Sequence, residues 1–331
     1  MTTARNVLTP EALSMMEVIG RTGSFAAAAR ELGKVPSALT YNVRQLEDAL
    51  DVLLFDRGSR QARFTAAGEE LLNEGLRLLE QMEAVASRVK RVATGWETQL
   101  TLAVDGVISR LTVFELCEAF YALQPDGAQS GPGTRLRLRT EVLAGTWEAL
   151  VRGQADLAIG VGIERTLPVG IQMQPLGALP FVFAVAPHHP LAQIDGVIDD
   201  TELLRHRAVA VADSAQHFAP LTVNLLPGQD VLTVASMQAK IEAQIRCMGC
   251  GFIPEPLARE HIAAGRLVVR QVQRPAPVAR MGYAWRTGQA HGSRHAGLGE
   301  ALKWWLAQLE SPATRLALLE RHSGLMQLGL D

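Results

Sequence analysis

The 331-residue sequence predicts an α/β fold with an N-terminal winged helix-turn-helix, a linker helix and a two-lobed C-terminal domain. Three patterns carry that prediction: two short helices joined by a tight turn over 24–50, a proline-free heptad from Ala66 to Ala93, and, beyond Gly95, short apolar strands alternating with helices. With 48% hydrophobic residues the chain has material for two or three buried cores.

In the first pattern, Ala26 to Ala29 are small enough to let one helix approach another, and Gly33 suits the positive φ that ends a helix. Pro36 is tolerated in the first turn of the next helix, where Ser37 or the residues just before it can cap free amides. Leu39, Val43, Leu46 and Leu50 recur at helical spacing and should face the core. That leaves Ser37, Thr40, Tyr41 and Arg44 on the outer face, placed to enter a DNA major groove. Residues 52–65 then read as a two-stranded wing with a Gly58-Ser59 turn. Its Arg57, Arg60 and Arg63 can neutralise phosphates or enter a minor groove.

In the second pattern, Leu71, Gly75, Leu78, Met82, Val85, Val89 and Val92 recur at alternating steps of four and three, and Leu72, Leu76, Leu79, Ala86 and Ala93 widen the face. A helix bridging two domains cannot bury two apolar stripes by itself. Pairing with the same helix of a second subunit covers them, and a homodimer then presents two reading heads to a two-fold site.

In the third pattern, 94–98 break the helix and strands follow at 99–104, 135–142, 155–160, 179–186, 207–212, 232–234 and 251–253. Helices are expected at 109–123, 147–152 and 237–248, the second opened by Ala144-Gly145-Thr146. Strand-helix-strand order predicts parallel pairing. The run 278–286 should return the chain to the first lobe, and two crossings between lobes make a hinge with a cleft suited to a small molecule. The expected domains are 1–66, the linker helix 67–94, and a regulatory domain 97–310. Its lobe I comprises about 97–180 and 280–310 and its lobe II about 181–279, with 311–331 a C-terminal tail.

A formal charge of −2 excludes a uniformly basic nucleic-acid binder, so affinity for DNA must come from local placement. No apolar run is long enough to span a bilayer, and the first residues lack the apolar segment of a signal peptide; a cytoplasmic protein without membrane contact is expected. Three cysteines fit a reducing compartment. No G-x-S-x-G, Walker loop or G-x-G-x-x-G pattern supports an enzyme, and no catalytic residue or cofactor is expected. Cys247 and Cys250 form a C-x-x-C that offers an alternative, redox sensing; no second pair completes a metal site, so no metal is expected.

Gly23-Ser24-Phe25, Ala27-Ala28, Leu46-Glu47, Leu54-Phe55-Asp56-Arg57 and Thr65-Ala66-Ala67-Gly68, in this order and spacing, resemble the LysR-type transcriptional regulators over about the first seventy residues. The resemblance implies DNA contacts from Pro36, Ser37, Thr40, Tyr41, Arg57 and Arg60. Pro36 stands where a Gln is frequent in the family and Tyr41 where an Arg is frequent, so guanine readout by that arginine is lost. Further along, residues 150–159, Ala186-Pro187-His188-His189-Pro190-Leu191 and Gly249-Cys250-Gly251-Phe252-Ile253-Pro254 resemble the family's effector-binding domain, which is periplasmic-binding-protein-like.

That resemblance places an effector at Asp105, Gly106, Val107, Gly145 and Thr146, with Val211, Ala212 and Asp213, followed by Ser214, as candidates for the opposite wall. Amides at a helix start beside a Thr hydroxyl favour a carboxylate or another electron-rich oxygen, which supports Gly145 and Thr146 independently. Asp105 stands where relatives that sense carboxylates carry a serine, and a negative charge there points to a neutral or phenolic effector. Pieces at 35–39, 95–98, 140–145 and 209–213 resemble a subgroup associated with aromatic or quinone-like inducers. The family resemblance also implies double-stranded promoter DNA, a homodimer through the linker helix that assembles to a homotetramer, and RNA polymerase as partners.

Overall fold

The computed structural model describes residues 7–56, 62–125, 131–163, 167–287 and 297–322. The chain divides into two compact units, 1–89 and 90–331.

The first unit holds α1 (Pro10–Thr22), α2 (Phe25–Glu31), α3 (Pro36–Leu50) and most of α4 (Ala66–Thr94). Thr9 and Ser24 cap α1 and α2 by accepting from Ala12 N and Ala27 N, and Gly23 ends α1 at φ 62°. Leu39, Val43 and Leu46 are buried against Met16, Ile19, Ala28 and Ala29, as their helical spacing requires. Phe55 meets Phe25 edge-on at a centroid distance of 5.1 Å and packs at a tilt on Phe64 at 4.6 Å. Thr65 accepts from Gly68 N at 3.1 Å to start α4, and a Cβ at Gly68 would lie 2.1 Å from the Leu54 carbonyl, so that turn needs glycine.

The expected heptad seam is divided. Leu71 and Leu72 pack on the helix-turn-helix core, and Gly75 sits against Leu13 Cδ2. One turn on, Leu78, Met82 and Val85 stand about half exposed. The first two turns of the stripe are therefore used within the chain, and these three residues present an uncovered apolar row.

The second unit follows strand-helix order: β1 (Gln99–Asp105), α5 (Arg110–Tyr121), β2 (Arg135–Glu141), α6 (Ala144–Val151), β3 (Leu157–Gly162) and β4 (Ile171–Val185). Next come a 3-10 turn (Pro190–Gln193), α7 (Asp200–Leu203), β5 (Ala208–Val211), β6 (Val231–Val234), α8 (Met237–Ile245), β7 (Gly251–Pro254), α9 (Glu255–Ala263) and β8 (Val268–Val269). The chain returns through β9 (Val278–Arg286) to α10 (Glu300–Glu310) and α11 (Pro312–Glu320).

β1 pairs in parallel with β2 and β3, as the crossovers predict, and β5 with β6. Two long strands join the lobes. β4 pairs antiparallel with β9 through Pro180↔Val278 and, from Phe181 onward, with β7. β4 begins eight residues before the expected Leu179, because Gln172, Gln174, Pro175 and Gly177 hide its pattern. α6 opens three residues before the expected Trp147, at Ala144. α8 stops at Ile245 rather than Met248, with Cys247 at φ 58°.

The segment 311–331, expected as a tail, begins instead with α11, whose Leu318 and Leu319 are buried in the lobe I core. Its apolar residues complete the face on which Phe120 and Trp305 pack. Among the described residues no helix is long and apolar enough to cross a membrane.

Candidate functional site

On the first unit, Pro36, Ser37, Thr40, Tyr41 and Arg44 are all exposed along α3, because the buried Leu39, Val43 and Leu46 fix its rotation. Ser37 does not cap the helix: its N-cap is Val35, which has no side-chain acceptor. Thr40 Oγ1 donates to the Pro36 carbonyl at 3.0 Å, and the Tyr41 hydroxyl accepts from Gln45 Nε2 at 2.9 Å. Tyr41 is thus held upright on the face, with its hydroxyl hydrogen still available to a base.

The wing strands meet at the Phe55↔Phe64 bridge, and Arg63 is exposed at its base; Arg57 and Arg60 lie outside the described residues. Glu47 fixes the wing to α3. Its buried carboxylate accepts from Leu54 N at 2.8 Å and Phe55 N at 3.3 Å, a role sequence reading assigned only as part of a motif.

On the second unit, a cavity of about 110 Å³ lies where the lobes meet. Lobe I supplies Asp105, Gly106 and Val107 at the end of β1 and Val142 and Leu143 after β2. Leu179, Phe181, Ala279 and Met281 of the two crossing strands form the floor. Lobe II supplies Val211, Asn224, Met237, Lys240 and Phe252. The ends of parallel strands at a change of chain direction are where such folds leave a crevice.

Asp105 is buried in that wall. Its Oδ1 accepts from Val107 N at 3.0 Å, and its Oδ2 from Leu143 N at 3.1 Å and Thr146 Oγ1 at 3.3 Å. Burial pushes its pKa up to about 6, against the pull of those three donors. Leu143 holds φ 53° without being glycine, a strained conformation that aims its amide at Asp105.

The expected effector residues separate into two groups. Asp105, Gly106, Val107 and Val211 line the cavity; Gly145, Thr146, Ala212 and Asp213 do not. Thr146 is fully buried and acts on the cavity only through Asp105. The start of α6, expected to receive an effector carboxylate, already holds one. Asp213 from lobe II accepts from Ala144 N at 3.2 Å and Gly145 N at 3.1 Å, as well as from Ala215 N and Leu221 N. Ser214 stands beside it, its Oγ donating to Glu141 Oε2 at 2.7 Å and accepting from Val142 N at 2.9 Å. A Cβ at Gly145 would fall 1.8 Å from that oxygen, so glycine is required for this approach.

Glu148 completes the clasp by accepting from the amides of Gln216, His217 and Phe218. Burial raises its pKa, but these donors and the His217 ring outweigh burial and hold the carboxyl down at about 2. The preference of a helix start for an anion is real here and is satisfied internally.

Sequence reading missed Lys240, because a lysine on a helix reads as solvent-facing. It is only 7% exposed, and burial lowers its pKa to about 8. The C-x-x-C pair is unequal: Cys247 is partly exposed and Cys250 is buried. Cys250 is buried with its thiol donating to the Arg207 carbonyl, and burial pushes its pKa up to about 12. Among the described residues no group of three or more His, Cys, Asp or Glu could hold a metal ion.

Residues 10–69 match the family profile for the bacterial regulatory helix-turn-helix protein, lysR family, and residues 93–309 match the LysR substrate binding domain. The chain belongs to the LysR family of transcriptional regulators. It is 36% identical over 302 residues to the probable HTH-type transcriptional regulator YhaJ of Escherichia coli K12, covering 91% of this chain and 96% of that one. It is also 36% identical over 262 residues to the HTH-type regulator YeeY of the same strain, covering 79% and 82%.

Among solved structures, full-length CbnR in complex with its target DNA superposes with a TM-score of 0.58 at 16% identity, covering 91% of this chain and 98% of that one. The Vibrio cholerae virulence activator AphB gives 0.52 at 14% identity, covering 91% and 98%. As a LysR-type protein, the chain is a DNA-binding regulator with a substrate-binding domain and not an enzyme.

Proposed function

We propose that this LysR-type regulator binds a two-fold promoter operator as a homodimer and responds to a small aromatic or quinone-like effector held between its regulatory lobes. The observation that carries this reading is the hinge cavity. Both lobes and both crossing strands contribute to its walls, so a ligand there has different contacts in each lobe arrangement. Its volume of about 110 Å³ limits the ligand to a single ring, since an apolar cavity of roughly 150 Å³ takes up benzene.

Dimerisation through α4 is supported by the uncovered Leu78, Met82 and Val85, and a cytoplasmic setting follows from the promoter as target. Homotetramer assembly and contact with RNA polymerase are extensions of the same reading. On the DNA side, Ser37, Thr40, Tyr41 and Arg44 read bases while Pro36 sets the helix start, and Arg57, Arg60 and Arg63 supply phosphate contacts.

The test is footprinting of the promoter with and without small aromatics. Two protected half-sites about one helical turn apart, with an extent that changes on adding a ring compound, are expected. A single protected site insensitive to every aromatic tried would contradict the proposal.

A further inference from the structure

Within that cavity one group is left without a partner. Lys240, on the first turns of α8, lines the lobe II wall beside Phe252. Among the described residues no hydrogen bond or ion pair holds its ammonium, and its electrostatic neighbour is the Cys250 thiol, which burial keeps neutral, although the residue is more than nine-tenths buried. Gly251 makes room for it: a Cβ there would lie 3.4 Å from Lys240 Nζ and 3.2 Å from Gln244 Nε2. A buried ammonium without a counter-charge is costly, and chains retain one where something outside the chain completes it.

The opposite wall differs. Asp105 already accepts three hydrogen bonds from Val107, Leu143 and Thr146, so it does not serve as that counter-charge. It leaves one lone-pair direction for a hydroxyl donor. Between the two lie apolar surfaces, including Val107, Leu179, Phe181, Met281 and Phe252.

We infer that Lys240 is the anchor for an acidic oxygen on the effector, and that the ligand is a monocyclic acid whose ring lies across Phe181 and Met281 toward Asp105. The inference rests on the reading of the cleft as the effector site, and it replaces the neutral class that Asp105 alone suggested. Asp105 repels an acid only at its own end of the cavity, whereas Lys240 attracts one at the other.

The experiment compares benzoate with benzamide, a neutral molecule of the same shape, by calorimetry and thermal shift on the full-length protein and on Lys240→Met. Wild type should bind benzoate about tenfold or more tighter than benzamide, as a charge-assisted hydrogen bond in a buried site implies. In Lys240→Met that preference should vanish while benzamide binding persists, and the unliganded variant should melt no lower than wild type.

Equal binding of the two probes, unchanged in Lys240→Met, would overturn the anchor and leave the cleft as a ligand site. Failure of both probes to bind wild type at millimolar concentration would overturn the anchor together with the cleft. A Lys240→Met protein that melts well below wild type would show that the ammonium has a structural role, and would also overturn the assignment.

Discussion

The clasp around α6 and the cavity at the hinge lie in the same regulatory domain, and both contain buried charge, yet they treat it in opposite ways. In the clasp, Asp213 and Glu148 are met by seven backbone amides between them: Ala144, Gly145, Ala215 and Leu221 for the first, and Gln216, His217 and Phe218 for the second. In the cavity, Asp105 is satisfied by its own lobe, while among the described residues no hydrogen bond or ion pair holds Lys240. The difference separates scaffold from site. Charge that the chain satisfies itself positions the lobes, and charge left unsatisfied marks where a ligand belongs.

The largest expected effect breaks the clasp. Asp213→Ala removes the acceptor for four amides at about 1 kcal/mol each, so chemical denaturation of the regulatory domain should show a loss of about 4 kcal/mol. A loss under about 1 kcal/mol would mean that the clasp does not hold the lobes.

The next effect sharpens the contrast through pH. Asp105 has its pKa raised from 3.8 to about 6, so the folded state binds the proton more tightly than the unfolded chain. Stability from this group is full below about pH 4 and is lost as pH rises through 6, a difference of about 3 kcal/mol. Glu148 has the opposite sign. Its carboxyl is held at about 2, so its contribution is present above about pH 4.5 and is lost as pH falls through 2. Denaturation midpoints between pH 4 and 7 should therefore show a downward slope that Asp105→Asn removes and Glu148→Gln does not.

Much of this arrangement was legible in the sequence, because regular apolar spacing follows directly from burial. β1, α5, β2 and β3 were placed from alternating or helical patterns, and the helix-turn-helix from Leu39, Val43 and Leu46. The first half of β4 and helix α11 were not, since polar residues, Pro175 and Gly177 interrupt one and the other is a short helix whose apolar side is recognisable only against its neighbours. For the site, the family resemblance implied Asp105, Gly106 and Val107, which line the cavity. The helix start at Gly145 reads as a seat for a carboxylate, and in the structure Asp213 accepts from its amides, an occupant invisible in the sequence because only the fold brings residue 213 to residue 145. Lys240 could not be read in advance, since its burial depends on β7 passing beside it at Gly251.

A smaller effect concerns the cysteines, of which Cys250 belongs to the satisfied class. Cys250 donates to Arg207 O and is held protonated by burial, so mild oxidation should change operator affinity by less than about twofold in a gel-shift titration. On the DNA-reading helix, Tyr41→Ala should alter the preferred base at one position of each half-site by about 1 kcal/mol. Arg63→Ala should instead weaken all sequences alike and reduce the salt dependence.

The difference between clasp and cavity can be located directly by crystallising the protein with 3-bromobenzoate and mapping the anomalous signal of bromine. The ring should lie in the hinge cavity, its carboxylate within hydrogen-bonding distance of Lys240 Nζ, with Asp213 still seated on the amides of Ala144 and Gly145. A bromobenzoate carboxylate at the start of α6, with Asp213 displaced, would contradict the account.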